Sequence, residues 1–512
     1  MSVLENYSRS TLLLFCLTSI FVLYRLALYA IATQRRDKII RDKGCKPYKN
    51  YPHKDPIFGF DLFLENSQLS KTGGFLDKVC ERYARQNTWT YSQLLLGERV
   101  INTAEPENIK AILATQFKDF ELPPRRKAAF QPTFGHGIFT TDGVEWETSR
   151  SLLRPNFVRS QIGDLDTFEK HISNLIARIP RDGSVVDLQP LFFMLTMDSA
   201  TEFLFGTSTD VLLNDEASAR GEKFSDAFGY ATEIIGLEAR VGKLATMLPN
   251  KRYDDSIKFV HEYVGNYVQK AVELRNAPFS AEKKAEEGQK YVFLEELSKT
   301  GMDKKKIQDE LLNILLAGRD TTASLLSYTF YILARRPDVF EKLRAEVMTL
   351  SSEQPTFEQI KNLKYLQYTL NEVLRLRPIV PSNGRCAVRD TTLPVGGGPD
   401  GKSPIFVKAG QPVNYHVFVM HRRKDLYGED ALEFKPERWE SFRPSWQYLP
   451  FNGGPRICIG QQFALTEASY TIIRILQAFK AVVPQGPNTP LLEILTLTSA
   501  VRGGVQVALT PA

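Results

Sequence analysis

Cysteine is scarce: Cys16, Cys45, Cys80, Cys386 and Cys458 are the only five in 512 residues, and no two share a C-x-x-C spacing. An odd, scattered set of this kind excludes a disulfide framework and a cysteine-rich zinc site, and it suits a reducing compartment. Net charge is also nearly missing outside one stretch. Arg35, Arg36, Lys38, Arg41, Lys43, Lys46 and Lys49 face only Asp37 and Asp42, so residues 35–49 carry +5 of the total +6. The remainder is close to neutral, and its aromatic residues do not interleave with a basic stripe, which excludes a nucleic-acid surface. From about residue 57 onward there is no linker, repeat or low-complexity tract. At 43% hydrophobic and 24% charged, the chain is neither disordered, collagenous nor a coiled coil. It is long enough to bury a large core or a large cofactor.

One long apolar run is present. Residues 11–33, TLLLFCLTSIFVLYRLALYAIAT, have about the ~20-residue length a bilayer core requires. Arg25 is the only charge, costly near mid-span unless it snorkels to the basic side. A cleaved signal peptide would need a basic segment before the run and a small-residue cleavage site after it. Here Glu5 offsets Arg9 and no such site follows. The run therefore reads as a single transmembrane anchor. The basic stretch behind it puts residues 1–10 in the lumen and the rest in the cytosol. Residues 34–56, basic and proline-containing, read as a spacer, with PYKNYPHKDP at 47–56 as a stiff polar linker. Residues 57–512 form the globular body.

Within that body helical patterns dominate up to Arg377. Residues 303–335 predict a long, buried central helix that ends before Pro337. Residues 356–377 open on a possible capping box, Thr356 with Gln359, and end at Pro378. Short β-prone runs with Gly/Pro turns fill 388–415, a helix returns over 461–479, and 491–509 again reads as strands. The polar stretch 276–290 reads as a surface loop. The fold class is mainly α with a minor β part. Residues 396–403, GGGPDGKS, match the phosphate-loop pattern letter for letter. That loop needs a helix to follow it, whereas Pro404 and Ile-Phe-Val follow here, and Pro399 removes an amide. The segment is expected to be a hairpin turn, with no nucleotide bound.

Before the helix at 461 the chain reads Phe451-Asn-Gly-Gly-Pro-Arg-Ile-Cys458-Ile-Gly460. A lone cysteine is usually a small buried filler. This one has Gly453 and Gly454 before it, which permit a close backbone approach, Arg456 two residues upstream, and a helix start after Gly460. Amides and a helix N-terminus lower a thiol pKa, and a thiolate in such a loop is a good axial ligand for haem iron.

The pattern F-x-x-G-x-R-x-C-x-G resembles the haem-binding loop of the cytochrome P-450 family. Three further segments resemble that family in the expected order: Ala317-Gly-Arg-Asp320-Thr321-Thr, Glu372-Val-Leu-Arg375, and Phe434-Lys-Pro436-Glu-Arg438-Trp439. The resemblance covers the chain from about residue 50. It implies a triangular helical prism around a buried haem b with Cys458 as axial ligand of the iron, and Phe451, Gly454 and Gly460 shaping its loop. It implies that Glu372, Arg375 and Arg438 form a buried network that holds this loop, where the bland alternative is a surface ion pair. It implies that Arg456, Arg385, Trp146 and Arg150 meet the haem propionates, and that Ala317 and Val380 line the substrate pocket. Thr321 would hydrogen-bond O2 and Asp320 would relay protons. Electrons would come from NADPH through a separate reductase on the same membrane, the endoplasmic reticulum, with cytochrome b5 as a further donor.

Four longer segments resemble the fungal membrane-bound alkane and fatty-acid hydroxylases of that superfamily: 391–406, Val419-Met-His421-Arg-Arg-Lys-Asp-Leu-Tyr427-Gly, Phe451-Asn-Gly-Gly-Pro-Arg, and Gly135-His136-Gly137-Ile138-Phe139 running on to Asp142-Gly143. The resemblance implies hydroxylation at or near the end of a long chain. Filamentous fungi reuse the scaffold on polyketide and terpenoid intermediates, which is the second reading. A haem-containing binder without turnover is the third, and the Asp320–Thr321 pair argues against it.

Overall fold

The computed structural model describes residues 9–157, 165–213, 215–241, 249–276, 292–352, 354–486 and 491–512. Residues 1–8 of the segment expected to be luminal and nearly all of the expected loop at 276–290 lie outside them. The chain begins with α1, Arg9–Asp42, a single helix of 34 residues and so about 50 Å long. Its large apolar side chains from Leu13 to Ile31 are exposed, and it is the one helix among the described residues that is apolar and long enough to cross a membrane.

The segment expected to be a spacer is docked. Helix α1 runs past Thr33 without a break, and Arg36 pairs with Asp390 at 3.0 Å. Lys46 donates its amide to Pro404, and Gly398 donates to Pro47. The Nε2 atom of His53 accepts the Leu94 amide at 2.8 Å. Lys49–Asn50, β1, joins a sheet. Backbone groups between two prolines are better satisfied by a sheet edge than left free.

That sheet has six strands. After β1 come β2 (Thr90–Leu95), β3 (Glu98–Thr103), β4 (Phe120–Glu121), β5 (Asn383–Ala387) and, further on, β8 (Pro412–Tyr415). Their spatial order is β1-β2-β3-β8-β5-β4. Helix dominates up to Arg377 as expected, and the β2–β3 hairpin is an element within that stretch that the sequence does not mark. Its residues are buried on both faces over Thr90–Leu94 and over Val100–Thr103, so no polar/apolar alternation marks it in the sequence. Between β5 and β8 lies the hairpin β6 (Thr391–Gly397) and β7 (Ser403–Val407). Residues 396–403 form its irregular turn, and a strand, not a helix, starts at Ser403.

The helices that frame the interior are α2 (Pro124–Phe134), α3 (Gly143–Leu153), α4 (Leu188–Phe205), α5 (Ala219–Val241), α6 (Lys251–Asn276), α7 (Lys304–Arg335), α8 (Lys364–Leu376) and α9 (Gln461–Ala478). Helix α7 runs through the middle and packs most extensively on α4. Its N-cap is Asp303, whose carboxylate accepts the Lys306 amide. The capping box at Thr356 and Gln359 forms, but it caps a short helix, Phe357–Asn362. Leu363 then adopts an extended conformation before α8 begins at Lys364. The C-terminal strands Glu493–Leu495, Ser499–Val501 and Gln506–Pro511 follow the expected stretch, the last running two residues past 509. Two large apolar clusters pack along α7, one around its N-terminal half and one around its C-terminal half.

Candidate functional site

A cavity of about 850 Å³ opens beneath α7. Cys458 lines it, as do Phe451, Gly460, Ala317, Thr321 and Val380. Asp320 does not: the residue is 4% exposed, and its carboxylate lies 3.2 Å from its neighbour Arg319. Burial pushes the Asp320 pKa up, and Arg319 pulls it part of the way back. The Thr321 hydroxyl donates to Ala317 O at 2.6 Å.

The Cys458 loop is fixed by its own backbone. The Cys458 amide donates to Phe451 O at 3.0 Å and the Ile457 amide to Gly454 O. Asn452 sits at φ +63°; its side chain donates to Arg456 O and accepts from the Tyr415 hydroxyl. Gly454 does permit a close approach, but to protein. At φ +65°, an added Cβ would stand 1.9 Å from the Leu113 carbonyl oxygen. Cys458 is accessible and lines the cavity. Burial raises the thiol pKa, while the Gly460 amide and the Arg150 charge work against that rise.

Three arginines converge on the cavity wall. Arg456 donates to Thr141 O and Asp142 and lies 4.3 Å over the Trp146 ring. Arg385 donates to Gly384 O. Arg126, on α2, was invisible in the sequence, where it is one basic residue in an Arg-Arg-Lys run. It donates one bond to Asn383 at 3.0 Å, and its Nε has no partner. Burial and the Arg385 charge push the Arg126 pKa down to about 10. Arg456 falls to about 9, through burial and the two other guanidiniums, in spite of Asp142. Partly unpaired cations held against one another make a site for an anion. Arg150 stands apart: it lies 5.8 Å over Trp146, and its charge acts on Cys458.

Glu372, Arg375 and Arg438 meet in the interior, not on the surface. Arg375 grips both Glu372 oxygens at 2.7 and 2.8 Å, and both side chains are fully buried. Arg438 reaches Glu372 at 3.4 Å, and Trp439 Nε1 and the Lys435 amide donate to it as well. Arg375 also donates to His421 O, Ala431 O and Glu433 O. His421 carries this network toward the cysteine loop. Its Nδ1 donates to Arg375 O and its Nε2 accepts the Leu449 amide. Burial keeps the imidazole neutral, with its pKa down to about 3. The sequence marked His421 only as part of a longer motif. Glu467 on α9 was not singled out at all. It is 1% exposed, and burial drives its pKa up to about 8 although Ser199 and Thr322 hold it back.

A family model described as cytochrome P450 matches residues 56–503. The chain is 45% identical over 510 residues to cytochrome P450 monooxygenase himC of Aspergillus japonicus, covering 99% of this chain and 91% of that one. It is 44% identical to cytochrome P450 52A12 of Debaryomyces hansenii, over 89% of this chain and 90% of the relative. It is also 44% identical to cytochrome P450 52A5 of Candida maltosa, over 88% and 89%. The family uses a haem iron bound by thiolate, with O2 as co-substrate. A cysteine facing a large apolar cavity beside an arginine cradle accords with these matches, and the chain belongs to the cytochrome P450 family, as a monooxygenase.

Proposed function

We propose that this protein is a membrane-anchored monooxygenase that hydroxylates a hydrophobic aliphatic chain at or near its end. The observation that carries the reading is Cys458 and Thr321 lining one apolar cavity under α7. Haem b would be held by the Cys458 sulfur, with its propionates on Arg126, Arg385, Arg456 and Trp146. When bound it supplies O2 activation, and a thiolate ligand favours O–O cleavage.

The chain's own residues then have separable tasks. The Thr321 proton is committed to Ala317 O, so the hydroxyl oxygen accepts from a water that carries the proton to the reaction. Asp320, raised in pKa and paired with Arg319, is the buried titratable group one residue away that replenishes it. Ala317 leaves room for the substrate, and Val380 walls it. Thr321→Ala should retain substrate binding and lower the ratio of product to NADPH consumed; an unchanged ratio would remove Thr321 from this role.

Helix α1 supports an anchor in the endoplasmic reticulum with the body in the cytosol, where a separate NADPH-dependent reductase, assisted by cytochrome b5, delivers electrons. Protease added to intact microsomes should digest the body; its protection until detergent is added would reverse the orientation.

The chain-end specificity rests on the resemblance of residues 135–143, 391–406, 419–428 and 451–456 to fungal alkane and fatty-acid hydroxylases. Relatives named individually and relatives of the 52A group match at nearly equal identity, 45% and 44%. The same chemistry on a polyketide or terpenoid intermediate is therefore the second reading. Reductase-supported NADPH oxidation with lauric acid, hexadecane and a polycyclic terpenoid tests both. Chain-end alcohols from the first two support the aliphatic reading; turnover of the terpenoid alone overturns it.

A further inference from the structure

Residues 134–140 have no strand or helix ladder of their own beyond the last residue of α2, yet their backbone is almost fully bonded. Five of these bonds are to side chains of α7. The His136 amide donates to Asp309 at 2.9 Å, the Ile138 amide to Glu310 at 3.2 Å, and the Phe139 amide to Asn313 at 3.1 Å. In the other direction Asn313 donates to Phe134 O at 2.8 Å and Lys306 to His136 O at 2.5 Å. Asp309, Glu310 and Asn313 are between 0% and 3% exposed. Carboxylates and an amide buried near the start of a long helix are costly unless something is gained in bonds, and here each is bonded to the same loop.

The fit is tight. A Cβ on Gly135 would stand 2.1 Å from Asp309, and one on Gly137 2.2 Å from Asn313. Only glycine lets the loop lie this close. Thr140 closes the turn by donating to Gly135 O and accepting the Gly137 amide.

The helix face that does this continues into the reaction site. Positions 306, 310, 313, 317 and 321 recur at steps of four, three, four and four, so they share one side of α7. The first three hold the loop. Ala317 and Thr321 wall the cavity, and so do Ile138 and Phe139 from the loop.

We propose that Lys306, Asp309, Glu310 and Asn313 are positioning residues for the reaction: they fix how far Ile138 and Phe139 enter the cavity, and so which carbon of a bound substrate lies at the reacting position. A loop held by its own contacts could drift relative to α7. This one is registered to the same rigid rod as Thr321. The inference rests on the monooxygenase class and not on which substrate is physiological.

The test uses the full-length, haem-loaded protein and a series of 1-alkylimidazoles, from ethyl to dodecyl. Binding is followed by the Soret shift as the azole nitrogen takes the iron. The wild type should prefer one chain length over its neighbours by at least about fivefold. Asn313→Ala, and Gly137→Ala from the opposite side of the contact, should each shift the preferred length or reduce that preference below about twofold. A merely structural role would lower haem content and melting temperature but leave the length profile intact. In the double variant the truncated Asn313 makes room for the new Cβ, so Gly137→Ala should add little to Asn313→Ala. Length profiles in both loaded variants matching the wild type would overturn the proposal. Hydrogen exchange on the wild type gives an answer even if a variant does not load haem. The amides of His136, Ile138 and Phe139 should exchange as slowly as those inside α7, and exchange at open-loop rates would equally overturn it.

Discussion

Two arginine clusters lie within this fold, and they are built in opposite ways. Around Glu372 every guanidinium is answered by protein. Arg375 makes five bonds, two to a carboxylate and three to carbonyl oxygens. For Arg438, burial is outweighed by Asp430 and Glu372, and its pKa rises. Around Arg385 the guanidiniums face one another. Arg126 keeps an unpaired Nε, and Arg126 and Arg456 are both pulled down in pKa. A saturated cluster is finished by folding and serves the fold. An unsaturated one is finished only by an anion from outside the chain, and so points to a ligand.

The largest expected effect comes from breaking the saturated cluster. Arg375→Ala or Glu372→Ala leaves one buried charge without its partner, at roughly 3–5 kcal/mol, a large share of a typical folding free energy. Either variant should lose thermal stability and haem content together. Normal values of both would contradict the network's role.

Breaking the unsaturated cluster should do the reverse. Arg385→Ala or Arg126→Ala relieves repulsion among like charges, so the haem-free protein should change by under about 1 kcal/mol in stability. Haem retention, measured by transfer to apomyoglobin, should fall clearly. Comparable damage to both properties would erase the distinction between the clusters.

A smaller effect concerns pH. Glu467 is raised to about 8 in the folded chain, against about 4.3 for an unperturbed carboxyl. A raised pKa gives stability that is complete below the unfolded value and lost as pH rises toward the folded one. Between about pH 4.5 and 8 this single group contributes a slope of up to about 1.4 kcal/mol per pH unit. Glu467→Gln should flatten the melting-temperature profile over that window, and an unaltered slope would mean the carboxyl is not held neutral. His421, depressed to about 3, acts with the opposite sign between about pH 3 and 6.5, because there its unfolded form takes up a proton that the folded form does not. His421→Asn should remove that loss on the acid side.

The two clusters also differ in how far the sequence revealed them. Glu372, Arg375 and Arg438 could be found because they lie within short motifs of fixed spacing. Arg126 could not, because the partners that make it unusual, Arg385 and Arg456, are more than 250 residues away. His421 and Glu467 were unreadable for the same reason: burial and cross-chain bonding define them. Helix α7 was legible from its length and apolar texture, and the C-terminal strands from their turn residues. The hairpin Thr90–Thr103 was not, since burial on both faces erases the period of two. The role of Gly454 was half legible: a close approach was expected there, but the partner is Leu113.

The central claim is that Cys458 is the thiolate ligand at the base of the cavity. The reduced, carbon monoxide-bound spectrum of purified full-length protein tests it directly. The wild type should show the strongly red-shifted Soret band of thiolate-ligated haem, and Cys458→Ala should lack it even where some haem is retained. The same red-shifted band in Cys458→Ala would contradict the assignment.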